Sequence, residues 1–115
     1  MIQLKRAYVS PEKSDGFRIL VDRLWPRGLS KKKAQIDLWV KEVAPSDSLR
    51  KWFSHDPKKW IAFQKKYKAE LRKNTQTVQE LRRVIRREKK VTLVFAAKDE
   101  EHNQAIVLKW VLQRK

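Results

Sequence analysis

Two apolar runs in this chain have the pattern of buried β-strands. Residues 19–21 are Ile-Leu-Val and lead into a charged turn, and residues 91–97 are rich in β-branched and aromatic side chains. Such continuous runs are typical of strands that are covered on both faces. A third candidate strand, 2–9, has its alternation interrupted by Lys5 and Arg6. The pattern therefore predicts a sheet in which 91–97 is the central strand.

Apolar side chains in the rest of the chain recur with the period of an α-helix. Ser30 precedes a predicted helix that runs to about Ala44, with Pro45 beyond its end. Further helices are predicted from 46 or 47 to about 54, from 57 to 73 after an Asp56-Pro57 start, from a capping box at 77–80 to 90, and from Asp99 onward. The side chains predicted to be buried are Ile36, Trp39, Val40, Val43, Leu49, Trp52, Phe53, Trp60, Phe63, Tyr67, Leu71, Val78, Leu81, Val84, Ile85, 105–108 and 110–112.

The order of these elements predicts an α/β fold. The strand before Asp22 and the strand before Lys98 are separated by four predicted helices, a connection long enough for a parallel pair. The loop 10–16 is short for a helical crossover, so the first two strands form either a hairpin or a parallel pair joined by an extended loop. We predict a single domain, 1–115, in which about five helices flank a small, mainly parallel sheet of three to four strands.

The loops that follow these two strands are the predicted functional site. The C-terminal ends of parallel strands meet at one edge of a sheet, where ligands bind in open α/β folds. Gly28, in the first loop, is one of only two glycines in the chain, which indicates backbone geometry that other residues avoid. The first loop supplies Asp22, Arg23, Trp25, Arg27, Gly28 and the helix start at Lys31, and the second supplies Lys98, Asp99, His102 and Asn103.

The chemistry of these side chains predicts a pocket for an anionic small molecule. Arg23, Arg27 and Lys98 would hold a group such as phosphate through charge-assisted hydrogen bonds. If the pocket is catalytic, hydrolysis of a nucleotide-like compound is the reaction class we favour, with one carboxylate as general base or orienting group and a histidine as proton carrier. The candidate catalytic residues are Asp22, Asp99 and His102. Trp25, Gly28 and Asn103 complete the predicted ligand-binding set.

Each of these residues also has a simple structural interpretation. Asp22 can pair with Arg23 or Arg27 and hold the turn, and Arg27 can cover the ring of Trp25 by a cation–π contact. Asp99 can be a helix N-cap. The sequence therefore leaves open whether the protein is an enzyme or a binding protein.

The net charge of +16 in 115 residues predicts that the protein has an anionic binding partner. The alternative function is therefore weakly selective nucleic-acid binding by the basic faces of the 57–73 and 77–90 helices. The lysines at 31–33, in a first helical turn, oppose the helix dipole. Either an anion compensates them, or they are simply solvated at the surface, which is the interpretation we favour. No helix-turn-helix, zinc-finger or ribonucleoprotein motif is present. The residues predicted for this alternative are Lys31, Lys32, Lys33, Arg82, Arg83, Arg86 and Arg87.

Several classes of protein and site are excluded by composition. The chain has no cysteine, so disulfides, thiolate zinc sites and cysteine nucleophiles are excluded. Two histidines do not make a metal site, and no phosphate-binding glycine loop or nucleophile elbow is present, so we predict no metal and no cofactor. The first residues lack the pattern of a signal peptide and no apolar run is long enough to span a membrane. We therefore expect a cytoplasmic protein without a membrane partner, and make no prediction of its oligomeric state.

The segment 15–28, DGFRILVDRLWPRG, closely resembles the YeaO-like branch of family 488 of the bacterial and archaeal domains of unknown function. The segments 44–46, 49–57, 70–71 and 96–105, together with Tyr67, resemble it as well, so the likeness covers essentially the whole chain. It implies no particular activity, cofactor or substrate. Many members have a histidine where this chain has Gln104, which counts against a mechanism that needs an acid–base group there. The signature residues of the family fall on Asp22, Arg23, Pro26, Arg27, Gly28, Lys98, His102 and Asn103.

Overall fold

The apolar runs form a parallel β-sheet in the computed structural model, which describes residues 1–114. The strands within this range are β1 (Ile2–Arg6), β2 (Phe17–Leu20), β3 (Leu38–Trp39) and β4 (Val91–Phe95), and their order in the sheet is β1-β4-β2-β3. Every pairing is parallel. All five residues of β4 are buried, as expected for a continuous apolar strand at the centre of a sheet. The predicted fold class is confirmed.

The register between β2 and β4 places their C-terminal ends side by side. Leu20 lies opposite Val94, and the Val21 amide continues the ladder by donating to the Val94 carbonyl over 3.0 Å. β1 ends at the same edge, because Arg6 lies opposite Phe95. The loops that leave these strands therefore start from one rim of the sheet.

Of the two arrangements considered for the first two strands, the hairpin is wrong: β1 and β2 run parallel, each paired with β4. β4 lies between β1 and β2, so the chain crosses over instead of turning back. The crossover contains only a short 3₁₀ turn, Lys13–Asp15. It ends at Gly16, which has φ 67° and lies so close to Lys90 that a Cβ atom would overlap the Lys90 carbonyl oxygen. β1 also ends at Arg6 rather than at Val9, whose amide bonds back to the Arg6 carbonyl.

The helices of residues 1–114 are α1 (Lys31–Ala34), α2 (Asp47–Phe53), α3 (Trp60–Lys73), α4 (Thr75–Glu88) and α5 (Gln104–Gln113). Three of the predicted starts are confirmed by their caps. Ser30 accepts from the Lys33 amide, Ser46 from the Leu49 amide, and Asp56 from the Lys58 amide. Pro57 opens a short 3₁₀ turn that runs directly into α3. No helix of this range is long and apolar enough to span a bilayer.

The predicted helix from Ser30 to about Ala44 is wrong beyond Ala34. Gln35 adopts the left-handed conformation with φ 48°, and the chain then runs beside β2 as an extra edge strand. The Asp37 amide donates to the Arg18 carbonyl, and the Asp37 carboxylate accepts from the Arg18 amide. The apolar spacing of 36–43 fits a helix, but the unpaired backbone groups on the edge of β2 recruit this segment instead.

Two other helices begin elsewhere than predicted. α4 begins at Thr75, before the predicted capping box at 77–80, and the Asn74 side chain preceding it donates to the Glu42 carbonyl instead of capping the helix. α5 begins at Gln104 with Asn103 as its N-cap, not at Asp99. The shift matters for the site, because it leaves 96–103 as a loop at the rim of the sheet.

Some predicted burial is also wrong. Trp52 on α2 and Trp110 on α5 keep 38% and 41% of their surfaces exposed. Arg82 was expected on the outer face of α4, but it is half-buried and donates to the carbonyls of Val111 and Arg114. Each of these residues lies where one helix meets another, which single-helix periodicity does not specify.

The helices α2 to α5 cover one face of the sheet and form the larger hydrophobic core. This core contains Ile19, Val21 and Leu93 from the strands and Phe63 and Leu108 from the helices. The opposite face carries only a small apolar cluster of Ala7, Leu20 and Val94, packed by Trp25, Leu29 and Ile36. The sheet therefore depends on other interactions over the rest of that face.

A buried ionic cluster covers the remainder of the second face. The Asp15 carboxylate lies 2.6 Å from Arg18 Nη1 and 2.8 Å from Lys5 Nζ, and only 4% of Asp15 is exposed. Arg18 also donates to the Ala34 carbonyl, and Thr92 Oγ1 donates to the Asp15 carbonyl. Asp15 thus contacts β1 and β2 through its carboxylate and β4 through its backbone carbonyl, and Arg18 extends the cluster to α1.

Replacing Asp15 with asparagine leaves the buried Arg18 without its counterion, whereas the partly exposed Lys5 keeps its ion pair with Glu12. We expect Asp15→Asn to lower the free energy of unfolding by about 3 kcal/mol, because the Arg18 guanidinium stays desolvated and has no counterion. Urea denaturation at pH 7 measures this change. A loss well below 1 kcal/mol, the scale of surface pairs, would contradict the role assigned to the cluster.

The matched control is Asp47→Asn, which removes exposed ion pairs and should change stability far less.

The dependence of stability on pH gives a second test of the role of Asp15. Burial raises the pKa of Asp15, but hydrogen bonds from Lys5, the Glu12 amide and Arg18 outweigh it and bring the pKa below its ordinary value of 3.8. The stabilising effect is therefore complete above pH 3.8, and the difference from Asp15→Asn shrinks as pH falls through the lower folded pKa.

Candidate functional site

A cleft of 580 Å³ opens at the C-terminal edge of the sheet. The loops after β2 and β4 both line it, and α2 and α3 contribute its inner wall. The lining residues are Tyr8, 22–27, Ala44, Pro45, Arg50, Phe53, His55, Phe63, 96–99, Asn103 and Gln104. Two segments more than 70 residues apart are thus brought together, as shown by the hydrogen bond from the Ala96 amide to Asp22.

The predicted site residues divide into two groups. Those that line the cleft are Asp22, Arg23, Trp25, Arg27, Lys98, Asp99 and Asn103. Gly28, Lys31 and His102 are not among the lining residues. Gly28 is exposed with φ 77° in the turn before α1, and Lys31 is exposed at the start of that helix. The sequence analysis placed the helix start at Lys31 in the predicted pocket, but the structure places it outside this cleft.

Arg23 is the most firmly positioned cation of the cleft. Its Nε donates to the Pro45 carbonyl over 3.1 Å, and its Nη2 donates to the Ala44 carbonyl over 3.2 Å. No hydrogen bond from Nη1 to residues 1–114 is present. The guanidinium is therefore fixed by the backbone before α2.

Asp22 does not pair with Arg23 or Arg27, so the structural role considered for it is wrong. One carboxylate oxygen accepts from the Ala96 amide over 2.9 Å, and the other accepts from the Gln104 side-chain amide. Burial raises the pKa of Asp22 to about 6, although the bonds from Ala96 and Gln104 and the nearby charge of His55 oppose the rise. Asp22 is thus a carboxyl group that changes protonation close to neutral pH.

Asp99 and His102 form a separate pair. Asp99 does not cap a helix. Its carboxylate accepts from the amides of Glu101 and His102, and its second oxygen lies 2.8 Å from His102 Nδ1. The bond from the Glu101 amide, followed by that from the His102 side chain, lowers the pKa of Asp99. The His102 ring packs edge-on against Trp60, at 5.3 Å between ring centroids. The three candidate catalytic residues therefore do not form one connected triad.

Trp25 stabilises the turn of the loop after β2, which lines the cleft. Its Nε1 donates to the Leu29 carbonyl over 2.6 Å, and its ring packs edge-on against Trp39 at 5.5 Å. The expected cover of this ring by Arg27 is wrong, since the ring contacts Trp39 instead. Arg27 is held through its carbonyl, which accepts from the Tyr8 hydroxyl over 2.8 Å, and its side chain is exposed.

Sequence reasoning from strand topology missed the contribution of α2. Arg50 and His55 line the cleft, as do the rings of Phe53 and Phe63. The available signal was the likeness to the family over 49–57, which contains Arg50, Phe53 and His55. Periodicity gave no such signal, because it places Phe53 in the core without indicating that the core reaches the rim.

The cleft combines an apolar wall with an excess of positive charge. The cations of its lining are Arg23, Arg27, Arg50 and Lys98, against the carboxyl groups of Asp22 and Asp99. Arg50 pairs with Asp47, whereas Arg23, Arg27 and Lys98 form no salt bridge with a carboxylate of residues 1–114. Within the same range, no group of three or more His, Asp or Glu side chains is placed to hold a metal ion.

A family model described as the inactive DUF488-N3 subclade matches residues 1–115. The chain belongs to this family. It is 43% identical over 107 residues to the uncharacterized protein YeaO of Escherichia coli K12, covering 93% of this chain and 92% of that protein. It is 36% identical over 111 residues to the uncharacterized protein Rv3073c of Mycobacterium tuberculosis H37Rv, covering 96% and 92%. No solved structure matches the chain.

The unusual pKa of Asp22 can be measured directly. In a protein labelled with ¹³C at aspartate carboxyl groups, we expect the Asp22 resonance to titrate near pH 6 and that of Asp99 below 3.8 in the same spectra. Gln104→Leu should raise the pKa of Asp22 further, because it removes a donor that favours the ionised form. A midpoint for Asp22 at or below 3.8 would contradict the burial and hydrogen bonding described here.

Proposed function

We propose that the cleft binds a small molecule in which an anionic group, such as a phosphate, is attached to a planar apolar body, as in a nucleotide. The observation that carries the proposal is the fixed guanidinium of Arg23, whose Nη1 has no partner in residues 1–114. A preorganised cation loses little entropy on binding, and a guanidinium suits the geometry of phosphate oxygens. Arg27 and Lys98 supply two further cations from opposite loops.

The apolar wall supports the second half of the ligand. Phe53 and Phe63 stack with ring centroids 4.2 Å apart and both line the cleft. Ala44, Ala96 and Ala97 add small side chains that let a flat group approach. A volume of 580 Å³ lies within the usual range of small-molecule sites. A bare phosphate ion would fill only a small part of this volume, so a larger ligand is favoured.

Recognition without turnover is the mode that the residues favour. Gln104 donates to Asp22 from the position where many members of the wider family have a histidine, and an amide neither takes up nor releases a proton near neutral pH. His102 is engaged with Asp99 and is absent from the cleft lining. The subclade to which the chain belongs is itself described as inactive. We therefore place ligand binding ahead of acid–base catalysis by Asp22, Asp99 and His102.

Isothermal titration with a panel of nucleoside monophosphates tests the proposal. The informative variant is Arg27→Gln with Lys98→Gln, because both side chains are exposed and neither holds the fold. We expect this variant to bind at least about 100-fold more weakly than the wild type, since each charge-assisted hydrogen bond contributes roughly 1.5 kcal/mol or more. Arg23 is a poorer choice for substitution, because it also holds the chain at Ala44 and Pro45.

The matched control is Lys65→Gln with Arg83→Gln, which removes the same charge from exposed positions that do not line the cleft. It should bind like the wild type. Equal weakening in both variants would show attraction by net charge alone. Absence of binding to every member of the panel, and to inorganic phosphate, would contradict the proposal.

A further inference from the structure

A second concave surface lies between α3, α4 and α5. This groove has a volume of 270 Å³ and shares no lining residue with the cleft at the sheet edge. Its lining residues are Lys68, Leu71, Arg72, Thr75, Val78, Gln79, Arg82, Trp110, Val111 and Arg114. It is therefore a feature separate from the proposed ligand site, and it is argued from different residues.

Within residues 1–114, the positive charge of the groove has no acidic counterpart among the lining side chains. Lys68, Arg72, Arg82 and Arg114 all line it, and no aspartate or glutamate does. None of these four forms a salt bridge with a carboxylate of residues 1–114. Concentrating one sign of charge in a concave surface raises the local potential and attracts an anionic partner. The charge pattern thus favours a polyanion over a neutral ligand.

Arg82 is fixed at the bottom of this arrangement. Its Nη2 donates to the Val111 carbonyl over 2.9 Å and to the Arg114 carbonyl over 3.3 Å. Its Nε is buried and has no acceptor among the residues that the structure describes. Its guanidinium therefore adds a fixed positive charge to the groove. The cation is held in place by the fold and does not depend on a flexible surface chain.

An exposed aromatic ring stands beside these cations. Trp110 keeps 41% of its surface exposed, and Lys68 Nζ lies 5.7 Å from its ring centroid. An indole next to a row of cations is the combination that single-stranded nucleic acids use, because bases stack on the ring while phosphates contact the cations. A duplex is a poorer partner, because its bases are already stacked on each other and are not free to stack on Trp110. An acidic peptide is also a poorer partner, because it can supply negative charge without any ring to stack on the indole.

We propose that the groove between α3, α4 and α5 binds single-stranded nucleic acid, with phosphates at Arg72, Arg82 and Arg114 and a base against Trp110. This places the contact between the helices. It differs from a contact with the outer face of α4, where Arg83, Arg86 and Arg87 are exposed. The proposal is independent of the ligand in the cleft.

Fluorescence anisotropy with the full chain and a labelled oligothymidylate of about 12 nucleotides tests this proposal over a salt series. The test variant is Arg72→Gln with Arg114→Gln, and the matched control is Arg83→Gln with Arg86→Gln. We expect the test pair to weaken binding at least about tenfold and to reduce the slope of log affinity against log salt by about 1.4, or about 0.7 for each lost contact. The control pair should leave the slope unchanged.

Equal effects of the two pairs, or no binding by the wild type at low salt, would overturn the proposal. Trp110→Leu should weaken binding and Trp110→Phe should largely restore it. Trp52→Leu, which alters another exposed indole beside lysines, should not weaken it. An equal loss of affinity with Trp52→Leu, or equally effective competition by poly-glutamate, would contradict the proposed stacking of a base on Trp110. The Arg27→Gln, Lys98→Gln variant should keep its affinity for the oligonucleotide, which separates failure of this proposal from failure of the cleft.

Discussion

The parallel pairing of β2 with β4 is the constraint on which the rest of the structure depends. Their register brings both strands to an end at the same rim, and the Asp22 carboxylate then accepts from the Ala96 amide across that rim. This bond satisfies a backbone donor at the point where the ladder stops. A slip of one residue would turn the side chains of β2 to the opposite faces and remove Asp22 from this position. The cleft is therefore a consequence of strand register.

The large positive charge of the chain is handled in two different ways. On the second face of the sheet, Asp15 pairs with the buried Arg18 and, together with Glu12, with the partly exposed Lys5, which allows charged side chains to cover a surface with few apolar groups. At the cleft and at the groove between α3, α4 and α5, cations gather without comparable acidic partners in residues 1–114. Uncompensated charge in concave surfaces costs stability, so these two places are where anionic ligands would contribute most.

Much of the fold could be predicted from local pattern. The buried runs at 19–21 and 91–97, the caps at Ser46 and Asp56, and the core stripe of α3 depend mainly on neighbouring residues. The segment after Ala34 could not be predicted in this way, because Ile36, Trp39 and Val40 have helical spacing. The open edge of β2 decides its conformation through hydrogen bonds to Arg18 and Leu20. Those bonds depend on tertiary structure, which periodicity does not contain.

The candidate site likewise contains some residues that local sequence pattern could place and others that it could not. Asp22, Arg23 and Lys98 could be placed at one rim because parallel strands must end together. The contact of Gln104 with Asp22 could not, because it depends on α5 starting five residues later than the sequence suggests. Arg50 and His55 reach the cleft only through the packing of α2. Topology therefore locates the site, while helix packing decides which side chains complete it and what Asp22 can do.

The most direct measurement of the central claim is an amide chemical-shift titration of the ¹⁵N-labelled protein with a nucleoside monophosphate. If the two loops form one binding cleft, the amides of 22–28 and 96–103 shift together and yield the same dissociation constant, while those of Lys32 and Lys33 on α1 do not move. Shifts confined to one loop, or different constants for the two loops, would contradict the account.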